Sequence, residues 1–196
     1  MDYKTNRASK TVLVNVSNRH IHLHQNEVDT LFGKGYQLTK LRDLMQPGEF
    51  ACNELLVISG KKGEIKKVRV LGPLRKATQV EVSLSDSIQI GLDAPVRQSG
   101  HIAGSAPVRI TGPNGIVDLK EGCIVAMRHV HMKPADAEFY GIKDQEILRI
   151  KIEGARGLVF DNVVARVSPN MNLECHLDTD EANAAGAKNG SKAEIL

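Results

Sequence analysis

RHIHLHQNEVDTLFG, residues 19–33, and RHVHMKPADAEFYG, residues 128–141, are two versions of one phrase. Each runs from a basic residue through His-x-His and a short helical segment to a Gly, and each then enters another strand, KGYQL in the first and IKDQEI in the second. His129 follows His20 by 109 residues in a chain of 196, so the spacing is that of an internal duplication. The second halves match in outline: VEVSLSDSIQIG aligns with CHLDTDEANAAG when Gly91 is set against Gly186. Glu81 and His176 then share a position, ten residues before their Gly.

Around this repeat the chain reads as short strands broken by glycine turns. TVLVNV, RHIHL, ACNELLVIS, IKKVRVL, TQVEVS, PVRIT, IVDL, GCIVAMRHVHM, EILRIKI, LVFDNVVARV and LECHL are strand candidates, and SGKKGE, TGPNG and EGARG have hairpin composition. Four short helices are expected: HQNEVDTLF, LSDSIQI, KPADAEFY and DTDEANAA, with Gly33, Gly91, Gly141 and Gly186 where each must stop. Many short strands with small capping helices point to a mainly β protein of barrels or compact sandwiches.

Composition removes several classes of function. The net charge is only +3 and the basic residues are scattered, so neither nucleic acid nor a membrane surface is suggested as a partner. Three tyrosines, four phenylalanines and no tryptophan leave few platforms for stacking on bases. Cys52, Cys123 and Cys175 are an odd number without C-x-x-C spacing, which fits a reducing compartment and buried thiols. No window is long and apolar enough for an export signal or a membrane span. A cytoplasmic protein is expected.

On a strand, residues two apart project from one face, so His20 and His22 can converge on one ion while Ile21 points away, and His129 and His131 can do so around Val130. Neutral imidazoles suit zinc, cobalt, nickel or iron, and a carboxylate such as Glu81 can complete a site. Five of the seven histidines lie in the repeated frame, which lifts the metal reading above that of an isolated pair. His24 and His101 read as solvated or structural. His20-x-His22 with Glu27 imitates the first metal motif of cupins, but Glu27 falls in the expected helix and the repeat has no second Glu in register.

VNVSNRHIHL, LRDLMQPGEFACNE, RVLGPLRKATQVEVS, GLDAPVRQSG, RHVHM, GLVFDNVVARVS and HLDTDEANAAG together resemble the phosphate propanoyltransferase family, the PduL-type phosphotransacylases, from about Val14 to Gly186. The resemblance implies exchange of coenzyme A and phosphate on a short acyl group, acetyl or propanoyl. It implies two duplicated small β-barrels with short capping helices, the first strand crossing to the C-terminal barrel: residues 19–126 in one, residues 8–18 with 127–196 in the other.

Carried over position by position, the family's two-zinc site falls on His20, His22, Glu81, His129, His131 and His176. Arg75 matches its phosphate-contacting arginine, and Arg166, Gln46, Glu49 and Gln79 match further active-site positions. Ser17, Arg42, Arg69, Leu71, His176 and Asn183 match its coenzyme A contacts. Two divalent ions, most simply Zn2+, and acyl-CoA, CoA, phosphate and acyl phosphate are the implied cofactors and ligands, with a homo-oligomer, a dimer or larger, as the implied assembly.

Such chemistry needs these residue types. When phosphate attacks a thioester, charge builds on the carbonyl oxygen and then on sulfur; a divalent ion meets both, and arginine's planar fork offsets the repulsion between two anionic reactants. Cys175 and His176 are consecutive on a strand and face opposite sides, which argues against a thiol nucleophile and for direct phosphate attack. Two other classes stay open: a metallo-hydrolase of thioesters or acyl phosphates, and a non-catalytic metal-binding module. MDYKTNRASKT lacks the apolar stripe of a microcompartment-targeting helix, so free cytoplasmic residence is expected over a microcompartment lumen or a shell partner.

Overall fold

The computed structural model describes residues 11–196. Residues 8–10 of the expected C-terminal barrel, and the segment read for a targeting helix up to residue 10, lie outside the described residues. The chain divides into two compact units, Asn18–Ala126 and residues 11–17 with Met127–Leu196.

The N-terminal unit contains β2 (His20–His22), α1 (Gln25–Phe32), β3 (Lys40–Asp43), β4 (Phe50–Ser59), β5 (Glu64–Gly72), β6 (Gln79–Val82), α2 (Leu84–Ile90), β7 (Val96–Arg97), β8 (Ala106–Thr111) and β9 (Ile116–Ala126). The strands close as β4-β5-β2-β6-β9-β8, with β8 pairing back onto β4 and with β3 and β7 attached outside the ring. Alternation supplies the core: Ile21, Leu56, Ile58, Val70, Val80 and Ile110 are essentially unexposed. The β8–β9 hairpin at TGPNG closes over the end of α1, where Asn114 N–H donates to the Leu31 carbonyl at 3.0 Å. Only glycine fits at 115, because a Cβ there would stand 2.4 Å from the Thr30 carbonyl oxygen.

The C-terminal unit contains β1 (Thr11–Ser17), β10 (His129–Met132), α3 (Pro134–Tyr140), β11 (Ile147–Ile152), β12 (Leu158–Val167), β13 (Glu174–Asp178), α4 (Thr179–Ala185) and β14 (Lys192–Ile195). Its closed barrel runs β11-β12-β10-β13-β1-β14. Strand by strand this is the N-terminal ring again, with β1 in the place of β9. β1 runs parallel to β13, Asn15 opposite His176, as β9 runs parallel to β6, Ile124 opposite Glu81. Each barrel is therefore completed by the strand that leads into the other barrel's His-x-His, and the mainly β, duplicated architecture with a crossing first strand is what the chain adopts. Val130, Met132, Ile150, Val163, Leu177 and Ile195 form its own buried core.

Local reading missed some boundaries. GCIVAMRHVHM is two strands, parted at Met127 and Arg128, and IVDL is joined to GCIVA in β9 through Gly122 at φ 138°. β3, β7 and β14 carry too little apolar pattern to stand out: β3 is exposed at all four positions. The four helices fall where their glycines required. Gly91, Gly141 and Gly186 are left-handed, with φ of 70°, 65° and 64°, the conformation that a side chain resists.

Candidate functional site

In the N-terminal barrel, β2 lies between β5 and β6. The antiparallel register with β6 sets His20 opposite Glu81 and His22 opposite Gln79, four side chains on one face, while Ile21 enters the core. His20, His22 and Glu81 are buried at 7%, 2% and 7% exposure, and their donor atoms lie within 4.8 Å of one another.

Hydrogen bonds assign the donor atoms. The Asn18 carbonyl sits 2.8 Å from His20 Nδ1 and can only accept, so Nδ1 carries a proton and Nε2 faces inward. Glu81 Oε1 accepts from Gln79 Nε2 at 2.6 Å and from Ser99 Oγ at 2.7 Å. Oε2 is left facing His20 Nε2 across 3.5 Å. Two acceptors at that distance need a proton or a cation between them. Burial pulls His20 down, but Glu81 outweighs it and the imidazole stands above its usual 6.5. Glu81 is held well below the usual carboxylate range, because His20, His22 and Ser99 overcome the upward push of burial. Burial, His20 and Arg75 hold His22 neutral well below 6.5, in the form that has a lone pair to give. Two imidazoles and a carboxylate, buried and pre-oriented, suit a divalent ion such as zinc.

Arg75 joins this face through a hub absent from the sequence reading. Its guanidinium donates to Ser99 Oγ at 3.1 Å and to Glu49 Oε1 at 3.2 Å. Ser99 Oγ also accepts from Gln79 Nε2 at 2.9 Å while donating to Glu81, which uses the full capacity of a hydroxyl. Gly100 N–H donates to Gln79 Oε1 at 2.8 Å. Glu49 is set by a turn in which its N–H donates to the Gln46 carbonyl, and Gln46 is buried. Arg75, Glu49, Gln46, Gln79 and Glu81 thus belong to one neighbourhood.

The C-terminal barrel repeats the pattern. The register sets His129 opposite His176 and His131 opposite Glu174. The rings of His129, His131 and His176 lie 4.6 to 4.9 Å apart centre to centre. His129 Nδ1 donates to the Met127 carbonyl at 2.8 Å, the counterpart of His20 on Asn18. Glu174 Oε2 stands 2.7 Å from His176 Nε2; this carboxylate too was not singled out from sequence. Arg166 lies on β12 in register with His131, at the place that Leu71 holds beside His22.

Entry to both His-x-His strands is secured alike. α2 and α4 each open with a capping box, and the third-position carboxylate also binds the arginine before the histidines: Arg19 to Asp86 at 2.7 Å, Arg128 to Glu181 at 2.8 Å. Of the remaining matched positions, Arg69 lies opposite His20 on β5 and donates to the Cys52 carbonyl at 2.7 Å, and Arg42 is exposed on β3. Ser17 ends β1 opposite Asp178, and Asn183 is exposed on α4. His24 caps α1, its ring accepting from Asn26 N–H. All three cysteines are free and buried. Burial pushes the Cys52 thiol to about 11 and the Cys123 thiol to about 12, and drives Cys175 higher still, so none is a ready nucleophile.

Residues 13–188 match the family model described as phosphate propanoyltransferase. The chain belongs to that family. A phosphate propanoyltransferase of Thermotoga maritima is 48% identical over 195 residues, covering 99% of this chain and 93% of the relative. Those of Clostridioides difficile and Lachnoclostridium phytofermentans are 50% and 52% identical, covering 93% and 94% of the chain and 88% and 87% of the relatives. The protein is therefore an acyltransferase enzyme. Among the described residues no helix is long and apolar enough to cross a membrane.

Proposed function

We propose that the protein exchanges coenzyme A and phosphate on a short acyl group, propanoyl-CoA or acetyl-CoA, yielding the acyl phosphate and CoA. The observation that carries this reading is the chain Arg75–Ser99–Glu81, which ties an anion-binding fork to a face built for a divalent ion. A hydrolase of thioesters needs no phosphate cradle beside its ligands.

Each barrel holds one divalent ion, most simply zinc: His20, His22 and Glu81 in the first, His129, His131 and His176 in the second. Bound there, such ions supply Lewis acidity for a carbonyl oxygen and a soft partner for thiolate. Arg75 grips two phosphate oxygens and offsets their charge, while Glu49 and Ser99 keep the guanidinium plane fixed. Arg166, in register with His131, adds positive charge beside the histidines of its own barrel. A phosphate oxygen attacks the acyl carbon directly: the C–O bond forms, the C–S bond breaks, and CoA leaves as thiolate, taking up the proton that phosphate gives up. The thiols take no part, in keeping with their burial. Arg42 and Arg69 serve the phosphates of CoA, and Ser17, Leu71, His176 and Asn183 its remaining contacts. The active assembly is a homo-oligomer.

The test is CoA thiol release from propanoyl-CoA and acetyl-CoA, with and without phosphate, on protein whose bound metal has been counted. Phosphate-dependent release with about two metals per chain is expected. Release that ignores phosphate overturns the reading in favour of hydrolysis, and metal without turnover of either substrate overturns it in favour of a different acyl substrate.

A further inference from the structure

The two faces are built on the same four places, and comparing them gives a role to Glu174. In the N-terminal barrel the places hold His20, His22, Gln79 and Glu81; in the C-terminal barrel they hold His129, His131, Glu174 and His176. Gln79, two residues before the third donor, fixes Glu81 by a 2.6 Å hydrogen bond. Glu174, at the same place, lies 2.7 Å from His176. Both are buried, at 2% and 3% exposure. Each face therefore carries one carboxylate, but in exchanged places: as a donor in the first, behind a donor in the second.

We propose that Glu174 is the positioning residue of the three-histidine face, accepting a hydrogen bond from His176 Nε2–H and so presenting His176 Nδ1 to the metal. This rests on the reading that the face holds a metal. The chemistry follows from the hydrogen bond. An ionised carboxylate has only acceptors to offer, so the shared proton sits on Nε2, and a neutral imidazole protonated there keeps its lone pair on Nδ1. His129 is held the other way round: its Nδ1–H is spent on the Met127 carbonyl, so it offers Nε2. The face would thus combine ligand nitrogens of both kinds, one histidine fixed by a main-chain carbonyl and one by a carboxylate. Such a carboxylate fixes the ring and makes it more basic toward the ion.

The first experiment needs no substitution: nitrogen-15 NMR of the histidine rings in the full-length, zinc-loaded protein. His176 should show a metal-bound Nδ1 and a protonated Nε2, and His129 the reverse. A His176 that binds zinc through Nε2 overturns this inference and leaves the metal reading standing; a wild-type chain that takes up no zinc on this face overturns both. The second experiment is chelator competition for zinc on Glu174→Gln and Glu174→Ala, each face followed by its own histidine resonances. Affinity at the three-histidine face should fall about 10-fold in the first variant and up to about 100-fold in the second, on the scale of lost outer-shell partners. Affinity at the His20–His22–Glu81 face should stay within about twofold, which a general loss of folding would not allow. Wild-type affinity in Glu174→Ala overturns the proposal.

Discussion

Replacing Arg75 by alanine separates the phosphate-cradle reading from its alternatives. The main chain should not notice: the Arg75 N–H bond to the Leu23 carbonyl, 2.8 Å, does not depend on the side chain. The guanidinium is about one third exposed, and its Glu49 contact is a single 3.2 Å ion pair, which on the scale of surface pairs contributes about 0–1 kcal/mol. Stability should change little. Turnover should change much more, because a fork aimed at the anionic reactant and the charge developing beside it contributes about 3–4 kcal/mol, on the order of 10²–10³ in rate. Removing it also leaves the Glu49 carboxylate to repel phosphate, so part of the loss should appear as a raised KM for phosphate. Arg75→Lys keeps the charge but loses the planar fork and should recover only about one order of magnitude. The assay is CoA thiol release over a phosphate titration at matched metal content, with a thermal melt as the folding control. If Arg75→Ala keeps kcat/KM for phosphate within about threefold of the wild type, Arg75 does not hold phosphate and the reasoning fails.

Metal binding to the N-terminal face should release protons near neutral pH. His20 stands above 6.5 in the metal-free protein, so between 6.5 and that raised value ligation must expel a proton, and affinity should climb with pH through this window; calorimetry in two buffers of different ionisation enthalpy reads it, and no release at pH 6.5 would contradict the assignment. The same His20–Glu81 pair should stabilise the metal-free fold across a bounded range. The His20 part is fully present below 6.5 and is lost as pH rises through its raised value, and the Glu81 part is present above the ordinary carboxylate value and lost as pH falls through its depressed one, which denaturant melts at stepped pH would show. Cys175→Ser should retain most activity, and native Cys52, Cys123 and Cys175 should resist iodoacetamide at pH 8 until the protein is unfolded. Ile21→Ala, at a residue with no exposed surface between the two ligand histidines, should cost about 2–5 kcal/mol in urea unfolding and weaken metal binding in the same barrel.

By itself the sequence determined the duplication, the two His-x-His strands, the helices that stop at glycine and the pairing of Glu81 with His176 by position. All of these rest on short-range periodicity, which survives in a linear text: a two-residue repeat puts both histidines on one face whatever the strand's neighbours are. What it left out depends on contacts far apart in the chain. Ser99 lies in the loop QSGHIAGSAP, where nothing local marks it; its importance comes from three partners 24, 20 and 18 residues away. Arg19 is a common basic residue until the barrel brings it to Asp86, 67 positions on, and β3, β7 and β14 exist as strands only because a neighbour offers its edge. Glu174 was equally silent: beside Cys175 and His176 it reads as one more charge. Strand alternation puts it on the face of His176, two residues on and within hydrogen-bonding distance, but only the antiparallel register of β10 and β13 sets that face across from His129 and His131 and so turns Glu174 into part of the site. Periodicity chooses which side chains share a face; tertiary pairing chooses which faces meet, and it is there that a serine becomes a hub and a glutamate a support.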